Sequence, residues 1–110
     1  TVNFTVDSSD LSAQAQTILR TQAAWLNRYP TYQILIEGHA DERGTREYNI
    51  ALGQRRAESV ASYLAAQGID ASRVSTVSWG KDRPIDPGSN EAAWSRNRNA
   101  YTNVVTEAGS

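Results

Sequence analysis

Hydrophobic positions along the chain follow two periods, one of about two residues and one of about 3.6 residues. Val2, Phe4 and Val6 alternate with polar residues, which predicts a short first strand. A turn-forming run of Asp and Ser follows, and Ser12 is then placed to cap a helix that we expect to end near Tyr29. The apolar positions of this helix that we expect to face the core are Ile18, Leu19, Trp25, Leu26 and Tyr29.

The rest of the chain continues to alternate between strand and helix patterns. Apolar residues at every second position predict a strand that ends at Gly38. Thr45 is a suitable N-cap for a long helix that we expect to end at Gln67, with Gly68 as the residue that stops it. The remaining predicted elements are a strand over 74–79, a surface loop over 80–90, a short helix over 92–96, a strand over 100–105 and a frayed tail over 106–110.

The order of the predicted elements is β-α-β-α-β-β. Long helices between strands favour right-handed crossovers onto one sheet, and the last strand returns without a full helix. We therefore expect an α/β (α+β) fold with a mixed four-stranded sheet. The length of 110 residues fits one compact domain, and we assign residues 1–110 to it.

The long helix carries polar residues where its pattern predicts the core. At about 100° per residue, Asn49 and Arg56 point into the middle of the apolar arc of the helix. A buried arginine needs a partner and hydrogen bonds, because an isolated charge is costly to remove from water. Two interpretations are open: Arg56 lies at the edge of the arc and extends to water, or it meets a carboxylate and faces a ligand. The arc itself consists of Leu52, Val60, Tyr63 and Leu64.

Asp41 is the best candidate for the carboxylate that would compensate Arg56. It follows the second strand, in the turn that leads into the long helix, and ligands of α/β folds often bind beyond the carboxyl ends of strands. Glu42 and Glu47 are alternatives, but acidic residues near a helix N-terminus are also favoured by the helix dipole. Side by side, an Asp accepts from an ammonium and an Arg donates a bidentate fork to a carboxylate, which suits a zwitterionic amino-acid centre.

The charge and hydropathy of the chain argue against nucleic-acid binding, a membrane-spanning segment and a signal peptide. The formal net charge is −1 and the sequence pI is about 5.7, which argues against nucleic acid because phosphate binding usually requires a basic excess. The longest strongly apolar run, at 34–36, is far shorter than the ~20 residues that span a bilayer. The first residues lack the basic and apolar regions of a signal peptide, so we expect none in this chain.

The chain contains no cysteine and a single histidine, His39. Because a zinc site usually needs three or four ligands, we expect no metal, and we expect no other cofactor. His39 and Asp41 are close in sequence and resemble part of a hydrolase site, but no G-x-S-x-G elbow accompanies them. We therefore expect His39 to be a hydrogen-bonded structural residue and the chain not to be an enzyme.

Two arginines precede the last predicted strand, Arg96 and Arg98. They are interpreted either as surface residues or as partners of the loop carboxylates. The three tryptophans are interpreted as packing residues rather than platforms for sugar stacking, although Trp79, beside the long loop, could serve both purposes.

Residues 38–64 resemble the most specific segment of the OmpA-like family, in the form found in its peptidoglycan-associated lipoproteins. The run Gly-His-Ala-Asp-Glu-Arg-Gly-Thr-Arg-Glu-Tyr-Asn over 38–49 is similar to a loop of those proteins. From Asn49 to Leu64 the helix matches the family pattern N-x2-L-S-x2-R-A-x2-V-x3-L, with Gly53 in place of the usual serine. Segments 79–84 and 97–98 resemble later parts of the family, so the similarity covers nearly the whole chain.

The resemblance implies a ligand and a site. The family binds peptidoglycan through the diaminopimelate of the stem peptide, so Asp41 would hold the ammonium of that residue and Arg56 its carboxylate. The implied ligand-binding residues are Asp41, Arg56, Arg43 and Leu52 in the pocket, Asn49 as the residue that orders the loop, and Phe4 and Thr5 as backbone donors.

The resemblance also implies a strand order and a place in the cell envelope. The fold would be a two-layer sandwich, and its sheet would have the strand order 1-4-2-3. The full-length protein would tether the outer membrane to the cell wall from the periplasm, held by an acylated N-terminal cysteine. Its protein partner would be a TolB-like periplasmic β-propeller within a Tol-Pal type system.

Two positions depart from the family pattern, and they leave other functions open. The family usually has Phe-Asp where this chain has Phe-Thr at 4–5, and Asn-Arg-Arg where this chain has Asn-Arg-Asn at 97–99. One alternative is therefore a protein–protein module with a vestigial pocket. Another alternative is a cell-wall peptide hydrolase that uses His39 and Asp41.

Overall fold

Four strands form one sheet, and two long helices pack on one of its faces. The computed structural model describes residues 2–5 and 7–107. In chain order the elements are β1 (Val2–Asn3), α1 (Ala13–Arg28), β2 (Tyr32–His39), α2 (Arg46–Ala66), a 3-10 turn (Ala71–Arg73), β3 (Val74–Gly80), α3 (Glu91–Asn97) and β4 (Asn99–Glu107). The strand order is β1-β4-β2-β3, with β2 and β3 parallel and the other two pairs antiparallel. The predicted two-layer fold, its mixed sheet and the implied strand order are confirmed.

Both long helices begin where the sequence predicts. Ser12 Oγ accepts from the Ala15 N–H at 3.0 Å, and Thr45 Oγ1 accepts from the Tyr48 N–H at 3.1 Å. Each side chain satisfies one of the backbone donors that a helix start leaves unpaired. Gly68, just past α2, has a φ of +93°, the left-handed conformation that ends many helices. Within the described part of the chain, no helix is both long enough and apolar enough to cross a membrane.

The core lies between the helical layer and the inner face of the sheet. Ile34 and Ile36 of β2 point into it at the period-two spacing that the sequence predicts. The buried apolar side chains that meet there come mainly from α1, α2 and β2, and they are Val2, Phe4, Ala15, Leu19, Ala23, Leu26, Ile34, Ile36, Ala57, Val60, Leu64, Ile69 and Ala100.

The buried face of α1 differs from the prediction. Ile18, Trp25 and Tyr29 were expected in the core, but each is about two fifths exposed, at 41%, 42% and 42%. The helix instead buries a narrow stripe in which alanines at 15 and 23 alternate with leucines at 19 and 26. Small residues on this stripe allow α1 to lie close to the layer beneath it, which leaves the large aromatic side chains outside. Trp25 contacts Tyr29 there, with ring centroids 5.1 Å apart and ring planes tilted by 43°.

The first and last strands also differ from the predicted bounds. β1 is two residues long, and Val6, predicted to belong to it, lies outside the described residues. β4 continues past the predicted end to Glu107, which pairs with Tyr32 of β2. Residues 106–107 of the predicted tail are therefore part of the sheet, and 108–110 lie outside the described residues.

Helix α2 approaches the sheet most closely where two glycines face each other. A Cβ added to Gly38 of β2 would lie 1.7 Å from the carbonyl oxygen of Gly53 of α2. A Cβ on Gly53 would lie 2.3 Å from Ser78 Oγ on β3, and that hydroxyl donates to the Ile50 carbonyl at 2.6 Å. Gly53, which replaces the serine of the family pattern, therefore fits a site without room for a side chain. This contact brings the next turn of α2, with Arg56, over the end of β2.

Candidate functional site

A cavity of about 210 Å³ lies beyond the carboxyl end of β2, between the loop over 40–45 and the first turns of α2. Concave sites with a few convergent polar groups, at the carboxyl ends of strands, are where α/β folds most often bind ligands. The residues that line the cavity include five of those predicted to bind ligand, namely Asp41, Arg43, Asn49, Leu52 and Arg56, together with Asp7, Ala40, Gly44 and Tyr48.

Arg56 is fully buried, with 0% of its surface exposed. Its guanidinium donates to three backbone carbonyls: from Nε to Ser8 at 2.9 Å, from Nη1 to His39 at 2.8 Å and from Nη2 to Thr5 at 3.1 Å. The ring of Phe4 lies 5.2 Å from the guanidinium carbon. The interpretation that Arg56 extends to water at the edge of the helix is therefore wrong, because the end of β2 and the turn after β1 enclose it.

The predicted direct pairing of Arg56 with Asp41 is also wrong. The guanidinium donates to carbonyl oxygens of two backbone segments, the turn after β1 and the end of β2. The two charges still interact through space: burial lowers the pKa of Arg56 to about 10, and the nearby Asp41 carboxylate opposes that shift. The guanidinium stays protonated at neutral pH, so a buried positive charge borders the cavity.

Asp41 is held by arginines other than Arg56. Its Oδ1 accepts from the backbone N–H and the Nε–H of Arg43 at 3.1 and 3.2 Å. Its Oδ2 accepts from Arg43 Nη2 at 2.9 Å and from Arg98 Nη1 at 3.4 Å. A carboxylate has about four lone-pair sites, and the carboxylate of Asp41 therefore has a donor for each of them.

Arg98 reaches Asp41 from the segment between α3 and β4. Its side chain is buried, donates from Nε to the Phe4 carbonyl at 2.9 Å and pairs through Nη2 with Glu91 at 3.1 Å. The interpretation of Arg98 as a partner of a loop carboxylate is confirmed. Arg96 lies on the surface, as its other interpretation predicted, and pairs with Asp86.

The charge of Asp41 is expected to contribute to stability in a pH-dependent way. Burial raises the pKa of this carboxyl, but hydrogen bonds from Arg43 and Arg98 outweigh burial, and the pKa lies below its ordinary value of 3.8. A carboxyl with a lower pKa in the folded chain stabilises the fold above its unfolded pKa. That contribution is lost as the pH falls through the folded pKa.

We therefore expect Asp41→Asn to be less stable than the parent at neutral pH, and the difference between them to shrink as the pH falls below ~4. Urea unfolding of both proteins at a series of pH values between about 7 and about 2.5 measures it. A difference that stays constant over the whole range would contradict the assignment of Asp41 as a stabilising charge.

The loop over 40–45 is held from two sides. Asn49 is buried, and its Nδ2 donates to the Arg43 carbonyl at 2.7 Å. On the other side, the ring of Trp94 on α3 lies against the Arg43 guanidinium, 4.1 Å from ring centroid to guanidinium carbon. The indole Nε1 of Trp94 donates to Glu42 at 2.8 Å. Helix α3, which was predicted only as a short helix over 92–96, therefore positions this loop.

Phe4 and Thr5 are not among the described residues that line the cavity, and they lie behind Arg56. The Phe4 N–H already donates to the Arg98 carbonyl at 2.8 Å, and the Phe4 carbonyl accepts from the Arg98 side chain. The Thr5 carbonyl accepts from Arg56. The expectation that this turn offers donors to a ligand is therefore wrong for Phe4, and the carbonyls of the turn serve as acceptors for two arginines.

Two polar residues of the cavity lining, Asp7 and Tyr48, were not predicted from the sequence as ligand-binding residues. Asp7 has a φ of +54°, and its Oδ1 accepts from the hydroxyl of Tyr48 at 2.7 Å. The only available signal was that Asp tolerates this conformation in turns, and the run over 7–10 was interpreted as a turn for that reason. A turn signal gives no indication of a contact 41 residues away in sequence.

His39 contributes to the site through its carbonyl, which accepts from Arg56. Its imidazole is buried, burial lowers the pKa of that imidazole, and its Nδ1 has no hydrogen-bond partner in the part of the chain that the structure describes. The donors described for Asp41 are arginines, so the pair that a hydrolase would need is not formed. Among residues 2–5 and 7–107, no three His, Cys, Asp or Glu side chains come together in a way that could hold a metal ion.

Comparison with known proteins gives matches over nearly the whole chain. A peptidoglycan-associated lipoprotein of Agrobacterium fabrum is 54% identical over 106 residues, which are 96% of this chain and 59% of that protein. One of Haemophilus influenzae is 51% identical over 100 residues, which are 91% of this chain and 65% of that protein. The chain thus spans less than two thirds of the length of these relatives.

Solved structures share the fold. The crystal structure of the peptidoglycan-associated lipoprotein from Burkholderia pseudomallei matches with a TM-score of 0.89 and 44% identity, over 92% of this chain and 86% of that one. The C-terminal domain of Helicobacter pylori MotB matches with a TM-score of 0.88 and 20% identity, over 96% and 84%, and it supports the fold alone. The model of the OmpA family matches residues 3–98. The chain therefore belongs to the OmpA family.

Proposed function

We propose that this domain binds peptidoglycan without covalent chemistry, through the zwitterionic end of the diaminopimelate in the stem peptide. The observation that carries the proposal is the presence of Asp41 and the buried Arg56 on the walls of one cavity. A carboxylate and a guanidinium that line the same cavity provide an acceptor for an ammonium and a donor for a carboxylate. The names of the relatives support peptidoglycan as the source of such a ligand.

Arg56 has the donors that a carboxylate needs. A guanidinium carries five N–H groups, and three of those of Arg56 are used by the carbonyls of Thr5, Ser8 and His39. Two N–H groups are left, one on each terminal nitrogen, which is the number that a bidentate carboxylate accepts. The three carbonyls hold the side chain in place before ligand arrives, so little conformational entropy is lost on binding.

Other cavity residues complete the recognition of a single amino-acid head group. Leu52 provides an apolar wall for the methylene chain of the ligand, and Asn49 keeps the loop in shape through the Arg43 carbonyl. Asp7 and Tyr48, which are hydrogen-bonded to each other, add polar groups to the lining of the cavity. The cavity volume of about 210 Å³ suits one end of a diamino acid rather than a whole disaccharide peptide.

In the full-length protein, this binding would tether the outer membrane to the cell wall. The matched relatives are named lipoproteins and extend beyond this domain, which supports an outer-membrane lipid anchor and a periplasmic location for the domain. A TolB-like periplasmic protein is the proposed protein partner, in a Tol-Pal type system. The domain requires no cofactor for this role.

Three synthetic stem peptides test the proposal. L-Ala-γ-D-Glu-meso-diaminopimelate carries both the ammonium and the carboxylate, its lysine analogue carries the ammonium alone, and its 2-aminopimelate analogue carries the carboxylate alone. We expect calorimetry to give the highest affinity for the diaminopimelate peptide and at least about tenfold weaker binding of the other two. The lysine analogue lacks the carboxylate that would pair with Arg56, and the 2-aminopimelate analogue lacks the ammonium that would pair with Asp41.

The same three peptides are measured against two variants of the domain, one that changes the proposed site and one that serves as a control. Asp41→Asn is expected to reduce the preference for diaminopimelate over 2-aminopimelate, since it removes the charge that binds the ammonium. Arg55→Gln is the control, because Arg55 is the exposed neighbour of Arg56 on α2. Equal affinity for all three peptides would refute the proposed ligand and favour a vestigial pocket, and release of fragments from purified peptidoglycan would favour a hydrolase.

A further inference from the structure

The carboxylate that should receive the ligand ammonium is already occupied. Both oxygens of Asp41 carry two donors each, and three of these four donors belong to Arg43. One of the three is the backbone N–H of Arg43, which holds Asp41 in place whatever the side chain does. The other two form a fork on the carboxylate, in the geometry that a ligand ammonium would have to replace.

The side chains that hold Asp41 differ in how easily they can leave. Arg98 has an exposed fraction of 8%, and its Nε bond to the Phe4 carbonyl is buried. Arg43 has an exposed fraction of 40%, and its guanidinium donates from Nε and Nη2 to Asp41. The guanidinium also lies against the ring of Trp94, which is independent of the bond to Asp41. Only Arg43 can therefore release Asp41 without breaking the buried framework.

We propose that Arg43 acts as an internal competitor for the ligand ammonium, so that binding exchanges the Arg43 fork on Asp41 for the ligand. The inference rests on the proposed function and concerns how affinity at that site is set. In the free domain the fork closes the acidic side of the cavity. In the complex the ammonium takes the two positions on Asp41, Arg98 and the backbone N–H of Arg43 stay, and the displaced guanidinium remains over Trp94.

Charge balance supports the exchange. In the free domain Asp41 has Arg43 and Arg98 bonded to it and Arg56 nearby, and Arg98 is also paired with Glu91. Adding an ammonium to that group would place a fourth positive charge beside it, whereas replacing the Arg43 fork keeps the number of bonded charges the same. Since like charges at close range repel, exchange is favoured over addition.

The test compares Arg43→Gln with the parent, using the diaminopimelate tripeptide and its 2-aminopimelate analogue in calorimetry. We expect Arg43→Gln to bind the diaminopimelate peptide about three- to tenfold more tightly, because a partly exposed fork no longer has to be broken. The analogue without the ammonium should show no such gain. The fold of the loop is retained in this variant, since Asn49 and Asp41 bond to the backbone of Arg43.

Arg46→Gln is the matched control, since it removes the same charge close to the cavity. Arg46 lies on the first turn of α2, is exposed and pairs with Asp82 rather than with Asp41. We expect its affinities to equal those of the parent within about twofold. A gain of the same size in Arg46→Gln would overturn the inference, because net charge alone would then explain the effect.

The outcomes separate this inference from the proposed function. If Arg43→Gln binds the diaminopimelate peptide no better than the parent while the parent still prefers that peptide, Arg43 is not a competitor and the proposed function stands. An equal gain for the analogue without the ammonium would also overturn the inference. A parent domain that binds neither peptide overturns the proposed function and the competitor role together.

Discussion

Replacing Arg56 with alanine is expected to lower the free energy of unfolding by about 3–5 kcal/mol and to abolish binding of the diaminopimelate peptide. The side chain is fully buried, and its loss leaves the carbonyls of Thr5, Ser8 and His39 without their donor. The His39 carbonyl is buried, and leaving it unsatisfied costs about 1–3 kcal/mol. The carbonyls of Thr5 and Ser8 are only partly buried and cost less, and the cavity left by the side chain adds to the total. Thermal melting should show a fall of about 15–30 °C for a domain of this size.

Arg55→Ala is the matched control for this change. It removes an arginine from the exposed face of the same helix turn, so we expect a change within about 0.5 kcal/mol. Lysine at position 56 retains the charge but lacks the fork that reaches three carbonyls, and it should therefore fall between the parent and alanine. A melting temperature of Arg56→Ala within a few degrees of the parent would contradict the structural role assigned to Arg56.

Gly38→Ala is expected to prevent folding or to lower the free energy of unfolding by more than about 4 kcal/mol. The added Cβ would lie 1.7 Å from the carbonyl oxygen of Gly53 and 2.5 Å from its carbonyl carbon. These are backbone atoms of α2, so relief requires the whole helix to move away from β2. That shift would also separate Arg56 from the His39 carbonyl, so binding should be lost with stability.

Gly68→Ala is the control that separates crowding from backbone strain. Gly68 has a φ of +93°, but no atom lies within 4 Å of the position that a Cβ would take. We expect a cost of about 1 kcal/mol from the left-handed conformation alone. Urea unfolding of both variants measures the difference, and a Gly38→Ala protein as stable as Gly68→Ala would mean that α2 and β2 do not pack as described.

The proposed site was predictable in part because two polar residues occupy positions where the helix pattern predicts apolar ones. Arg56 and Asn49 interrupt the apolar arc of α2, and both prove to be buried and bonded to backbone carbonyls. Their positions followed from helical spacing alone. The partner of Arg56 did not, since a carboxylate was expected and carbonyls were found. A carbonyl is present at every residue, so no pattern of side chains distinguishes those that turn toward an arginine.

The side chains by which α1 enters the core show a second limit of prediction from sequence. The prediction that Leu19 and Leu26 face the core is confirmed. Hydrophobicity and helical spacing also favoured Trp25 and Tyr29, but Ala15 and Ala23 are buried in their place. Periodicity identifies an apolar stripe, but several stripes that differ by a rotation of the helix are almost equally apolar. The separation between α1 and the layer beneath it decides among them, and that separation depends on elements elsewhere in the chain.

The sequence by itself determined the order and type of the elements, the caps at Ser12 and Thr45, and the presence of buried polar residues in α2. These features depend on interactions between residues within about four positions of each other, which a pattern records directly. Only the tertiary structure decided what surrounds the charges. The carbonyl partners of Arg56 lie 48, 17 and 51 residues away, and Arg98 reaches Asp41 across 57 residues. Such contacts exist because the packing of α2 and α3 against the ends of β1 and β2 brings distant segments together.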